Sequence, residues 1–551
     1  MNSTKKHLFS LTTLLIIVSS ACSNKQQADK ILINGLIYTV DQSFSVAEAM
    51  AIRDGEILAV GSDQEILNYY TSDSITDLHN LAVFPGFIDA HTHFMRYAYG
   101  LQQIDLVGTQ SFDEVIQKIQ RHVEQFPDDK WVLGHGWDQN DWGNDTSFPR
   151  KDTLDLLFPD KIIALTRIDH HAVLTNQQGL AIANITGKTN IEGGEVITDG
   201  GQPTGVLIDA AGKLVLNRIP EIAQEQKVKL LKQAEANCFN VGLSSLVEAG
   251  LEKSQIDLLD KLQKENELAI RIYAMLNPSQ ENIEHYFSNG HYKTDRLHVR
   301  SFKIYGDGAL GSRGACLINP YTDKSDSYGF LLSTPAVFDS LAKDFALKNF
   351  QMNTHAIGDS ANRLITNIYG KYLKGKNNKR WRIEHAQVVH PTDLKKFGQY
   401  NILPSVQPTH ATSDMSWVEK RLGQERLQNA YAYNSLMKTS GKLLLGSDFP
   451  VENINPLYGF HAAVSRQDAE NKPGSGFLIS EKISREEALK GMTIWAAFGQ
   501  FEEEEKGSLE AGKLADFVIL DQDIMKVDYS KIRATRVMQT WVGGKKVYQI
   551  Q

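Results

Sequence analysis

Two rhythms of apolar and polar positions run along this chain. Near both ends the rhythm is that of strands. Residues 31–39 and 49–61 are strand-like at the start, the second run turning at Asp54-Gly55, a tight hairpin signal. Residues 512–521 and 537–548 repeat the pattern at the far end, the latter around Gly543-Gly544. Strands at both ends, with a different pattern between them, predict one small β-sandwich assembled from residues 30–81 and 506–551.

In between, short apolar runs alternate with helical stretches. Eight runs are strand candidates for one sheet: the run ending at His91, then 242–248, 270–275, 299–305, 351–355, 381–385, 402–406 and 442–448. Such alternation predicts a parallel sheet, and eight units predict an α/β fold closed as a (β/α)8 TIM barrel over residues 82–505. The first gap is too long for one crossover and holds two further strand-like runs, 130–137 and 161–168. Residues from about 100 to 230 are therefore expected to form an inserted subdomain capping one side of the site.

The first 22 residues follow neither rhythm. Lys5 and Lys6 precede an apolar run over residues 8–18, and Ser19-Ser20-Ala21-Cys22 follows. This is the layout of an export signal, and it falls short of the ~20 residues needed to span a bilayer. The ending resembles a bacterial lipoprotein signal, with Cys22 as the lipidated residue and Ser19 where an aliphatic is usual. Residues 23–29 then read as a tether, and the protein as membrane-anchored or, failing lipidation, secreted. With Cys22 set aside, Cys238 and Cys316 are too few for a disulfide framework and read as small core residues. The 551 residues carry 66 acidic and 58 basic side chains, a net charge of −8 without a basic block. That balance excludes nucleic acid as an expected partner and leaves a small molecule, with a homo-oligomer open.

Candidate chemistry sits where the barrel pattern puts it. Asp89-Ala90-His91-Thr92-His93 ends the first run, and alternation along a strand turns His91 and His93 to one side. Alone, this pair is equally a polar loop or two metal ligands. Lys303, His355, His385 and Asp448 end the fourth, fifth, sixth and eighth runs, at the end of a barrel where chemistry is placed. Their joint register argues for a metal site built from His and carboxylate, which accepts Zn, Mn, Fe or Co.

At these residues the chain resembles the amidohydrolase superfamily, in its amidohydrolase-3 branch with the N-substituted formamide deformylases. The likeness rests on Pro85-Gly86-Phe87-Ile88-Asp89-Ala90-His91-Thr92-His93, on residues 303–313, and on Thr354-His355-Ala356-Ile357-Gly358-Asp359. It extends to Ile383-Glu384-His385-Ala386-Gln387, Gly446-Ser447-Asp448-Phe449-Pro450 and, in the terminal β-sandwich, residues 512–518. The resemblance implies that His91, His93 and Asp448 bind one metal and His355 and His385 a second, zinc foremost. It implies that Lys303 bridges them as a carbamate; an ion pair with Asp307 at a one-metal site is the alternative. Metal-activated hydroxide would then attack a non-peptide C–N bond, with Asp448 relaying the proton and His410 stabilising the oxyanion. Trp137, His171, Asn176, Asp307, Arg313 and Gln407 are candidate substrate contacts by the same likeness. For His171 the alternative is a loop cap, and for Arg313 a surface ion pair. A deaminase, a cyclic-amide hydrolase and a catalytically silent binding lipoprotein are the competing readings.

Overall fold

The computed structural model describes residues 25–139, 142, 147–168, 172–191, 194–375 and 377–551. Its centre is a barrel of eight parallel strands: β1 (Phe87–Thr92), β2 (Leu243–Leu251), β3 (Arg271–Leu276), β4 (Leu297–Tyr305), β5 (Gln351–Ala356), β6 (Arg382–His385), β7 (Leu403–Val406) and β8 (Leu444–Leu445). They pair in chain order from β1 to β8. The seam back to β1 is made just past β8, where Asp448 N donates to His91 O at 2.8 Å and His93 N to Phe449 O at 2.9 Å.

The strand pattern divides labour between the two faces. On β4 and β5, Phe302, Ile304 and Met352 face outward into the helical layer, where Phe302 stacks on Phe345 of helix Pro335–Lys348 at 4.4 Å. The alternate residues Ser301, Lys303, Asn353 and His355 face the barrel axis. Several outer helices open on a proline at their first turn, among them Pro335–Lys348, Pro391–Tyr400 and Pro456–Ser465. Proline is suited to that position because its missing N–H has no helical partner there.

Two sheets from the chain ends pack beside the barrel. One is ordered Glu56–Gly61, Ala49–Arg53, Lys30–Ile33, Ile75–Asp77; the other runs Lys545–Gln549, Val537–Val542, Phe517–Leu520, Ala82–Pro85, Leu36–Tyr38, Val46–Ala47. Leu32, Ile37, Met50, Val83, Phe517 and Trp541 share a core between them. The apolar run over residues 81–88, expected as one strand, is in fact two. Ala82–Pro85 belongs to this sheet, and β1 starts at Phe87. The break is Gly86, where a Cβ would meet Ser244 Oγ at 2.3 Å. The border between sheet and barrel therefore lies at residue 86 and not at 82. Part of the expected tether is built into the fold: Gln26–Gln27 pairs with Tyr70–Thr71, and Ala28 is buried. Cys22 and the leader lie outside the described residues. Among the described residues, no helix is long and apolar enough to cross a membrane.

The insert carries its own mixed sheet of six strands, in the order Ile104–Asp105, Trp131–Trp137, Ile162–Arg167, Ala172–Thr175, Gln202–Asp209, Gly194–Asp199. Leu106, Val115, Val132 and Ile163 form one apolar cluster with it, and Val173, Leu180, Leu207 and Val215 another. It ends earlier than residue 230, because Leu230, Leu231 and Ala234 of helix Gln224–Asn240 pack in the barrel core. The insert leaves the barrel through the connection after β1, the strand that carries His91.

Candidate active site

Six side chains from five strand ends meet at one mouth of the barrel. His91 and Lys303 are buried, with Lys303 Nζ 2.9 Å from His91 Nε2. Asp448 Oδ1 lies 3.2 Å from His93 Nε2 and 3.7 Å from His91 Nε2. His91, His93 and Asp448 each offer a donor atom, all within 4.8 Å of one another. The His385 ring is centred 5.0 Å from that of His91 and 4.6 Å from that of His355. His355 Nε2 and His410 Nε2 are buried without a hydrogen-bond partner. Leaving such atoms unsatisfied costs about 1–3 kcal/mol each. A divalent cation would satisfy the donors among them, and the His–carboxylate set suits Zn, Mn, Fe or Co.

The electrostatics favour ligation. Burial, and then the Lys303 ammonium, push His91 down to about 4 against the pull of Glu384 and Asp448, and His355 down to about 3 against that of Asp448. Burial, with His355 beside it, holds His385 well below its usual range. Neutral imidazoles keep a lone pair to give. Burial also lowers Lys303 to about 8, opposed by Asp448 and Glu384. Burial alone would raise Asp448, but the hydrogen bond from His93 and the neighbouring imidazoles hold it well below the carboxylate range.

The ring edges are fixed from behind. Glu384 Oε2 accepts from His91 Nδ1 at 2.5 Å, so the lone pair of His91 is at Nε2. Gln407 Oε1 accepts from His385 Nδ1 at 2.7 Å, leaving Nε2 of that ring free. Glu384 and His385 are consecutive, and a regular strand would send them to opposite faces. His385 has φ +72 and Ala386 φ +42, so the chain leaves extended geometry there; Asp448, at φ +63, does the same past β8. Positive φ at non-glycine residues stores strain of about 1–3 kcal/mol each and concentrates at functional sites.

Other candidates from the sequence are spent on the fold. Trp137 is buried in the insert core and donates from Nε1 to Leu165 O at 2.8 Å. Asn176 caps helix Gln177–Ile182 through Gly179 N and also accepts from Ile163 N at 3.1 Å. Asp307 is buried and accepts from Ile357 N, Gly358 N and Cys316 N at 2.8–2.9 Å, bracing the loops after β4 and β5. It approaches His355 Nε2 at 3.5 Å and is not the partner of Lys303, whose contact is His91. Arg313 forms a two-pronged ion pair with Asp323, at 3.1 and 2.8 Å. Each of these four side chains thus has hydrogen-bond or ion-pair partners within the fold. Gln407 acts on His385 instead. His410 is at the mouth, Nε2 4.0 Å from Asp448 Oδ2. His171 lies outside the described residues.

Three carboxylates at this end of the barrel were not singled out from the sequence. Glu384 backs His91. Asp89 ties β1 to the Asp448 loop by accepting from His91 N at 3.1 Å, Ser447 N at 3.0 Å and Ser447 Oγ at 2.6 Å. Glu248 at the end of β2 takes Thr92 Oγ1 at 3.0 Å, Met95 N at 3.0 Å and Phe94 N, fixing the turn through His93. Their position on barrel strands close to the ligands in sequence or register was the available signal.

Known proteins share this architecture. The family model described as "Amidohydrolase family" matches residues 74–548. The chain belongs to the amidohydrolase family. It is similar to Protein LONG AFTER FAR-RED 3 of Arabidopsis thaliana, 33% identical over 95% of this chain and 92% of that protein. It is 26% identical to the N-substituted formamide deformylase of Arthrobacter pascens, over 95% of this chain and 99% of that one. Among solved structures, an uncharacterized metal-dependent hydrolase from Pyrococcus horikoshii OT3 superposes with a TM-score of 0.77 at 26% identity, covering 91% of this chain and 99% of its own. This amidohydrolase is an enzyme, a hydrolase of carbon–nitrogen bonds.

Proposed function

We propose that this amidohydrolase cleaves a non-peptide carbon–nitrogen bond of a small amide at a metal centre. One observation carries the reading: ligand-type side chains from five strand ends converge, with donors of His91, His93 and Asp448 inside 4.8 Å. The deformylase likeness over 95% of the chain supports an amide of formyl or short acyl type. His91, His93 and Asp448 would hold one ion and His355 and His385 a second, with Lys303, as a carbamate, a further oxygen donor to them. Zinc is the first choice, with Mn, Fe and Co compatible. The lowered pKa of Lys303 supports carbamate formation, which requires the neutral amine. When bound, the cation acidifies water and polarises the amide carbonyl.

The protein's own groups divide the remaining work. Asp448 points Oδ1 at the two histidines of β1, which leaves Oδ2 to accept a proton from water and return it to the departing nitrogen. His410, 4.0 Å from that oxygen, faces the carbonyl oxygen as negative charge develops. Gln407 and Glu384 hold ligand rings in place. Residues 1–22 are read as a lipoprotein leader that puts the enzyme on a bacterial membrane through Cys22.

The test is metal analysis of protein expressed with zinc or manganese, followed by turnover of N-formyl, N-acyl and dipeptide libraries. Bound metal with release of an amine is expected. Protein without metal, or inert toward every amide, would remove the proposal and favour a silent binding protein.

A further inference from the structure

We infer that Arg382 and Glu384 are positioning residues that lock the His91 ring in the tautomer presenting Nε2 to the metal. The inference rests on the metal-centre reading above. Both side chains are fully buried and stand two apart on β6, so they share the barrel interior. Arg382 grips Glu384 with two prongs, Nε to Oε1 at 2.7 Å and NH2 to Oε2 at 2.9 Å. The same NH2 reaches Ala90 O at 2.5 Å and Ser405 Oγ at 2.8 Å. One guanidinium thus fixes the backbone just before His91 and the carboxylate that holds its ring, bridging β6, β1 and β7.

A buried ion pair by itself gives little stability over an apolar pair of similar volume. Its value here is directional. Among the described residues the only acceptor at His91 Nδ1 is Glu384, 2.5 Å away, while Lys303 and Asp448 occupy the opposite edge of the ring. A carboxylate can only accept, so it admits one tautomer. A glutamine of equal size can present its amide N–H to Nδ1 and admit the other.

The experiment uses the full chain stripped with a chelator and titrated with zinc against a chromophoric competitor, with the thermal midpoint as a fold control. Glu384→Gln is expected to bind zinc about 10- to 100-fold more weakly while remaining folded, with kcat falling more than KM rises. Glu384→Asp should recover part of the loss. Ser405→Ala, which removes one Arg382 anchor, should shift affinity in the same direction by less. Folded Glu384→Gln that binds zinc within twofold of wild type overturns the inference. Should that variant not fold, unchanged affinity in both Glu384→Asp and Ser405→Ala overturns it. Wild-type protein that takes up no zinc overturns the metal-centre reading together with this one, whereas tight wild-type binding preserved in Glu384→Gln sinks this one alone.

Discussion

Asp516→Ala is expected to loosen the joint between the terminal sheets and the barrel. Asp516 closes the segment Gly512-Lys513-Leu514-Ala515-Asp516 and is buried. Its carboxylate takes Arg271 Nε at 2.6 Å, Arg271 NH2 at 3.0 Å and Gly543 N at 2.6 Å. Arg271 opens β3 and is itself buried, with Asp295 O at 2.8 Å its other acceptor. Removing the carboxylate strands a guanidinium in the interior, which costs about 3–5 kcal/mol. Asp516→Asn keeps one acceptor and should cost about half that, roughly 2 kcal/mol. Arg271→Met combined with Asp516→Leu should regain most of the loss, since an apolar pair of similar volume replaces a buried ion pair at little expense. Urea unfolding followed by tryptophan fluorescence and far-UV dichroism measures all three, and activity per folded molecule should stay near wild type because the pair is at the opposite end of β3 from the site. A cost below about 1 kcal/mol for Asp516→Ala, or a double variant no better than the single one, would refute the reasoning.

Four shorter expectations follow. Asp448→Asn should keep the dichroism spectrum but lose about 10²–10⁴ in turnover, and near-normal rates would remove the proton-relay role. Glu502, paired with Lys506 at 2.6 Å and His298 at 3.1 Å, is held down at about 2 although burial opposes this. Its folded pKa is below the usual 4.5, so its stabilisation is complete above that pH and is lost as pH falls toward 2. Glu502→Gln should therefore flatten the acid limb of a stability–pH curve by about 3 kcal/mol, measured by urea titration at stepped pH. Trp137→Phe should cost about 1 kcal/mol through loss of the Leu165 hydrogen bond while leaving KM unchanged; a raised KM would restore Trp137 as a substrate contact. Cys22→Ala should abolish incorporation of labelled fatty acid and release the protein from the membrane fraction, and persistent labelling would place the lipid elsewhere.

The barrel was legible because each strand is an apolar run between helical stretches, and its ligands were legible because they end those runs. The split at Gly86 was hidden, since two successive buried strands read as one apolar stretch. The structural roles of Trp137, Asn176 and Asp307 were hidden for a related reason. These residues sit in recurring motifs, but their side chains close a core, cap a helix and brace two loops. A motif marks a residue that must be kept without saying whether packing or substrate keeps it. Glu384 was masked by its neighbour: alternation lets one of two consecutive residues face the barrel, and the backbone turn that lets both do so is not written in residue types.

The pairing of Ala82–Pro85 with Phe517–Leu520 has a consequence for how the molecule is made. Phe84 faces Val518, so a neighbour of the early strands is synthesised more than 400 residues after them. The pairing is strongly non-local, and loop closure over that span precedes any reward from it. Until the end arrives, the edge of Ala82–Pro85 is an unpaired apolar template of the kind that recruits foreign strands. The amidohydrolase is thus expected to depend on holding factors during synthesis, and chains cut before Phe517 should aggregate with the barrel sequence intact.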